Sequence, residues 1–133
     1  MAKYYVCSIC GNLVEMVNDE GNTPSCCGRS MRALAPASTD GSVEKHVPVV
    51  ELISLCDNDS KEAVTKVIVS VGSTPHPAEP NHYIEWIALE TNKGMHRVHL
   101  TAECQPHATF YLGPNETIVA TYAYCNLHGL WKG

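Results

Sequence analysis

The sequence predicts an all-β chain, a short cysteine-stapled unit followed by an antiparallel β-sandwich. Three observations carry this reading. From about residue 43 onward, short apolar runs rich in Val, Ile, Thr and Tyr alternate with turn clusters. No stretch shows long helical periodicity, and there is no internal repeat or low-complexity tract. Four of the seven cysteines crowd into the first 27 residues, while all seven histidines lie at position 46 or later. The chain thus separates a sulfur-rich front from a nitrogen-rich rear.

The front unit spans residues 1–36. Units below about 40 residues seldom bury enough apolar surface to fold without a metal, disulfides or a partner. Cysteines supply that staple here. Cys7-Ser-Ile-Cys10 forms a Cys-x-x-Cys turn, in which two thiolates can grip one metal while backbone N–H groups point at the sulfurs. Fifteen residues intervene before Cys26-Cys27 and Gly28. Four thiolates suit tetrahedral zinc or iron, and the spacing leaves the choice of metal open between them. Adjacent cysteines cannot make a second Cys-x-x-Cys knuckle, so a distorted tetrahedron is expected. A structural zinc staple competes with an iron centre at this point. A redox-active dithiol is disfavoured because the pair does not open a helix after a strand. A small, polar segment, Ala33 to Ser42, then links to the second unit.

The second unit spans residues 37–133. Its apolar runs are Val47 to Leu55, Val64 to Val71, His82 to Glu90, Met95 to Thr101, Ala108 to Leu112 and Thr117 to Tyr124. The breaks between them are Asp57-Asn-Asp-Ser60, Gly72 to Pro80, Thr91-Asn-Lys-Gly94, Ala102 to Pro106 and Gly113-Pro-Asn-Glu116. In Val64 to Val71, Val67, Val69 and Val71 share one face with Ile68 opposite, the period-2 pattern of a half-buried strand. Short strands at this spacing predict a sandwich.

Charge and composition narrow the function classes. The formal net charge is -5, with 44% hydrophobic and 17% charged residues. This folded, acidic chain lacks the basic surface that nucleic acid requires. No run reaches the ~18 apolar residues of a membrane span, and no apolar h-region precedes Cys7. A cytoplasmic location is therefore expected, where clustered thiols bind metal rather than pair as disulfides.

Three rear segments carry metal-ligand residue types: Glu44-Lys45-His46-Val47-Pro48, His76-Pro77-Ala-Glu-Pro80-Asn-His82, and Cys125-Asn-Leu-His128-Gly129. Each sits at the edge of a predicted strand, where a sandwich gathers its loops. Two prolines stiffen the loop between His76 and His82, which limits the entropy lost in positioning them. Cys125 and His128 can reach one metal from a turn, with Gly129 permitting a sharp exit. A lone histidine is more often structural than a ligand. Four histidines and a cysteine gathered in three such segments point to a metal.

The motifs occur together, and in order they resemble the desulfoferrodoxin family, the two-iron superoxide reductases, over nearly the whole chain. The front resembles that family's desulforedoxin-like Cys-x-x-Cys…Cys-Cys pattern. The rear resembles its Glu-Lys-His-x-Pro, His-Pro…His and Cys-x-x-His patterns. The resemblance implies one iron held by Cys7, Cys10, Cys26 and Cys27. It implies a second held equatorially by His46, His76, His82 and His128, with Cys125 axial. Glu44 and Lys45 would lie over the open sixth position as catalytic residues. The implied fold is a desulforedoxin-like (rubredoxin-like) domain joined to an immunoglobulin-like sandwich, usually as a homodimer. The implied reaction reduces superoxide to hydrogen peroxide, with electrons from a rubredoxin-like donor. Lys45 would attract the anion and support its protonation by hydrogen bonding. Opposite unit charges ~4 Å apart attract by about 4 kcal/mol at an effective dielectric of ~20. That local term outweighs a diffuse net charge screened beyond ~8 Å. Glu44 would serve as sixth ligand to the ferric form.

Other residues are expected to carry no chemistry. Cys56 and Cys104 read as small buried hydrophobes. His96 and His99 fall on opposite faces of one strand and cannot share a site. His107 follows Pro106 in a turn region, and Trp131 reads as core or rim packing. A non-enzymatic metal protein and a plain electron carrier are the alternative classes. The carrier fits the front site but does not explain the open position beside Lys45 that the resemblance implies. Metal analysis separates the non-enzymatic protein, with zinc in both sites, from the two-iron enzyme.

Overall fold

The computed structural model describes residues 2–37, 46–56, 63–72 and 76–133, with Cys56 and Ala63 described by backbone alone. Glu44, Lys45 and the turn Asp57-Asn-Asp-Ser60 lie outside the described residues. The chain divides into two units, Met1–Ala35 and Pro36–Gly133.

The front unit consists of very short strands. They are β1 (Tyr4–Val6), β2 (Leu13–Glu15), β3 (Ser25–Cys26), β4 (Arg29–Ser30) and β5 (Arg32–Leu34). β1 lies between β2 and β5 in one antiparallel sheet, and β3 pairs with β4 as a hairpin. Tyr5, Cys7 and Met31 form its small core, with Val14, Met16 and Cys26 packed against it. Two of those six residues are cysteines of the sulfur cluster. The core and the staple are therefore one structure, as expected for a unit too small to fold on apolar burial alone.

Among the described residues, the second unit is a seven-stranded sandwich. β6 (Pro48–Cys56), β7 (Ala63–Val71) and β10 (His107–Leu112) form one sheet in the order β10-β7-β6. The other sheet is built from β8 (Ile84–Thr91), β9 (Gly94–His99), β11 (Ile118–Cys125) and β12 (Gly129–Lys132), in the order β12-β11-β8-β9. The pairings between these strands are all antiparallel. Three and four strands in facing sheets are an immunoglobulin-like layout, with the fourth strand placed beside β8 rather than in the three-stranded sheet.

Period-2 patterning explains the core. Val67, Val69 and Val71 of β7 are buried with Ala108, Phe110 and Leu112 of β10. Ile84, Ile87 and Leu89 of β8 join Ala123 and Cys125 of β11 in the same cluster. The strand edges position the rear segments. β6 starts just after His46, β8 just after His82, and β11 ends on Cys125 with β12 beginning just after His128. Pairing of Ile84 with Cys125, of Pro48 with Val71 and of Cys125 with Gly129 brings these ends together. At the far end of the sandwich, the β8–β9 and β10–β11 turns are tied by Glu116. Its carboxylate accepts from Thr91 Oγ1 at 2.8 Å, His96 Nε2 at 2.9 Å and the Gly113 N–H at 3.1 Å.

Candidate metal centres

In the front unit, the ligand atoms of Cys7, Cys10, Cys26 and Cys27 all lie within 4.8 Å of one another. Cys10 Sγ is 3.6 Å from Cys26 Sγ, and Cys26 Sγ is 3.9 Å from Cys27 Sγ. Four sulfurs ~2.3 Å from one tetrahedral ion stand ~3.8 Å apart. The cluster therefore matches such a site. Local backbone makes this possible. Cys27 adopts φ 53°, a left-handed conformation rare for a residue with a side chain, which turns two adjacent cysteines toward one point. Gly11, at φ +82°, closes the Cys7–Cys10 turn, with its N–H 3.0 Å from the Cys7 carbonyl.

The sulfurs have polar support. The Cys10 N–H lies 3.5 Å from Cys7 Sγ, and Asn12 Nδ2 donates to Cys26 Sγ at 3.6 Å. Backbone N–H groups of Cys10 and Ile9 pull the Cys7 thiol down to about 6. The neighbouring Cys10 pushes Cys27 up to about 12. Without a cation the four thiols share little negative charge, and a bound cation removes that restraint. Cys7 is buried, whereas Cys10 and Cys27 are exposed.

In the sandwich, His46, His76, His82, Cys125 and His128 offer ligand atoms that likewise all fall within 4.8 Å. Neighbouring rings are His46–His76, His76–His82, His82–His128 and His128–His46, with centroids 4.8, 4.6, 5.0 and 4.6 Å apart, all edge-on. The diagonal His46–His82 separation is 6.3 Å. Tetrahedral placement would put all pairs at one spacing, so the four imidazoles form a near-square. His46 Nε2 and His128 Nδ1 are 2.9 Å apart. Two nitrogens bound at right angles, ~2.1 Å from one ion, would stand ~3 Å apart. Cys125 Sγ approaches His76 Nε2 at 3.4 Å and His128 Nδ1 at 3.7 Å, and Cys125 is fully buried. Four nitrogens in a square with one thiolate is the donor set of a thiolate-ligated haem, assembled here from side chains. Zinc prefers four ligands in a tetrahedron. Five donors in this arrangement suit iron.

The surroundings fix protonation. His76 Nδ1 donates to the Pro77 carbonyl at 2.7 Å, which leaves its Nε2 lone pair facing Cys125 and the ring. Burial lowers the His76 pKa to about 4, so the imidazole is neutral and available to a metal near pH 7. Burial pushes the Cys125 thiol up, while backbone N–H groups of His128 and Leu127 pull against it. Trp131 stacks on His46, with centroids 4.6 Å apart and planes 18° from parallel.

The structure thus gathers both sets of residues singled out from the sequence. Glu44 and Lys45 lie outside the described residues. Among the described residues, His96, His99 and His107 stand outside both groups. One expectation fails: Cys104 is exposed, because it sits in the β9–β10 loop rather than on a core face, with Sγ 3.2 Å from Thr101 Oγ1. Sequence reasoning also missed the hydrogen bonds that support the ligands, made by Asn12, the Pro77 carbonyl and Asn126. Their signal was position alone, since each lies within or beside a ligand motif.

Comparison with known proteins agrees with this layout. Residues 38–133 match the desulfoferrodoxin family, and residues 1–34 match the desulfoferrodoxin N-terminal domain. A desulfoferrodoxin homolog of Archaeoglobus fulgidus is 41% identical over 128 residues, covering 96% of this chain and 93% of the relative. A desulfoferrodoxin of Syntrophotalea carbinolica is 41% identical over 130 residues, covering 96% and 92%. The crystal structure of the superoxide reductase from Treponema pallidum superposes with a TM-score of 0.77 at 30% identity, covering 100% of this chain and 97% of that one. On sequence, fold and paired sulfur and imidazole–thiolate clusters together, the chain belongs to the desulfoferrodoxin family, with two iron centres.

Proposed function

We propose that this chain is a superoxide reductase, an oxidoreductase that converts superoxide, one electron and two protons to hydrogen peroxide. The observation that carries the reading is the near-square of four imidazoles with Cys125 Sγ against it. His46, His76, His82, His128 and Cys125 would hold one iron, and Cys7, Cys10, Cys26 and Cys27 the other. Iron bound in the imidazole–thiolate site supplies one-electron exchange between its ferrous and ferric states.

The chain's own residues do the rest. The neutral imidazoles add no negative charge, so the thiolate of Cys125 is the only anionic ligand and a small anion is still attracted. Burial of His46, His76 and Cys125 keeps water away from the floor of the site. Lys45, next in sequence to His46, draws superoxide in and holds a proton at its Nζ for the product. Glu44 offers a carboxylate as the site becomes more positive after the electron has left. The four-cysteine centre either relays electrons or staples the front unit. Electrons come from a rubredoxin-like carrier protein, and the protein works in the cytoplasm.

A homodimer is part of this reading. β6 is an edge strand whose only partner among the described residues is β7. Val50 and Leu52 pair with Val69 and Val67, so they lie on the core-facing side, yet they are 38% and 60% exposed. Val49 and Leu55 are exposed as well. Such an apolar edge invites a second copy, and antiparallel pairing about a two-fold axis is self-complementary.

Iron analysis and pulse radiolysis test the function together. Two irons per chain, a visible thiolate-to-iron band on oxidation and second-order consumption of superoxide are expected. Lys45→Ala should keep the iron but capture superoxide more slowly and with weaker salt dependence. Zinc in both sites, or no reaction with superoxide, overturns the proposal.

A further inference from the structure

His82 lies outside the ladder that holds β8. The sheet pairing between β8 and β11 ends at Ile84 and Cys125, after an irregularity in register at Tyr124 and Cys125. Beyond that point a side chain takes over. Asn126 Oδ1 accepts the Tyr83 N–H at 2.9 Å, and Asn126 Nδ2 donates to the Asn81 carbonyl at 3.0 Å. The Asn126 N–H donates to the Tyr83 carbonyl at 3.2 Å. These bonds grip the backbone on both sides of His82. They also fix the orientation of the amide, because an N–H must meet its oxygen and a carbonyl its nitrogen. A tight turn holds the other flank, with Glu79 and His82 exchanging N–H···O bonds of 3.0 Å in both directions.

We propose that Asn126 is a positioning residue for the imidazole–thiolate centre. Its amide registers the segment bearing His82 against the turn bearing Cys125 and His128. The inference rests on the reading of those three residues as iron ligands. Asparagine suits the task because one short side chain supplies an acceptor and a donor together. Aspartate would lose the donor, and alanine would lose both. His82 stands diagonally across the ring from His46. Slack at residues 81–83 would therefore widen the square and weaken all its bonds.

The fold contains its own control. Asn92 makes the same double clamp at the opposite end of the sandwich. Its Oδ1 accepts the Thr117 N–H at 2.9 Å, and its Nδ2 donates to the Asn115 carbonyl at 3.0 Å. Asn92→Ala therefore removes equivalent bonds far from the ligands.

The test compares Asn126→Ala and Asn92→Ala with the parent, all iron-loaded. Iron release to a ferrous chelator, the ferric EPR spectrum and the thermal midpoint are measured. Asn126→Ala should release iron about tenfold faster, within the range for residues that support ligands, and should change the rhombicity of the ferric signal. Asn92→Ala should lower the midpoint but leave release and EPR at the parental values. Parental release and EPR in Asn126→Ala would overturn the proposal, as would equal losses of iron in both variants. Where Asn126→Ala does not fold, Asn126→Asp, which keeps the Tyr83 half of the clamp, is measured against the same criteria. Failure of the underlying reading is distinct, because the parent itself would then hold no iron at these ligands.

Discussion

Cys125 sits between opposing influences. Burial disfavours its thiolate, whereas the N–H groups of His128 and Leu127 favour it. A bound cation tips that balance, since a coordinating thiol is deprotonated outright. Cys125→Ser should therefore abolish the thiolate-to-iron absorption of the oxidised protein, read by visible spectroscopy. A surviving band would assign the sulfur to another residue. At this scale the sequence was informative wherever a residue's chemistry is rare. Cysteines and histidines in tight spacings declare themselves. Trp131 did not, because a tryptophan looks the same in a sequence whether it fills a core or stacks on a ligand ring. Asn126 was equally silent, since asparagine in a turn is common and only three-dimensional pairing reveals its clamp.

Elements explain which strands could be read. β6, β7, β8, β9, β10 and β11 each carry six to nine residues, long enough for apolar alternation to show. The front strands have two or three residues, too few to display a period. β12 has four and was hidden by the Cys-x-x-His motif that runs into it. The exposure of β6 was not legible either, because a run of Val and Leu looks like core until its partners are known. Leu52→Lys should place a charge on that open edge and convert dimer to monomer in sedimentation. A dimer that persists would move the interface elsewhere. The far-end turns give a pH-dependent element. Glu116, bonded first by His96 and also by Thr91 and Gly113, has its pKa lowered from 4.5 to about 2. A depressed carboxyl stabilises the folded state fully above its unfolded value and loses that contribution as pH falls toward 2. Glu116→Gln should thus be less stable than the parent at pH 7, with the gap in urea midpoint narrowing from pH 5 to pH 3. A gap independent of pH would rule out ionisation of Glu116 as the cause.

The whole molecule pairs two units with different sources of stability. The sandwich buries an apolar cluster between its sheets. The front unit's small core cluster is built on Tyr5, Cys7 and Met31, and one of these is a cluster cysteine. Removing metal with a strong chelator should therefore unfold residues 2–35 while the sandwich stays folded. Hydrogen exchange read residue by residue checks this, and continued protection of β1 after chelation would show that the front core suffices alone. The two units also differ in how far apart in sequence their ligands lie. The front sulfurs fall within one short stretch, whereas His46 and His128 meet across a sequence separation of 82. A growing polypeptide thus completes its sulfur cluster early but carries an unfinished imidazole ring through most of its synthesis. Loading of the second iron is consequently a late event, and an occupied ring certifies that both sheets of the sandwich have already come together.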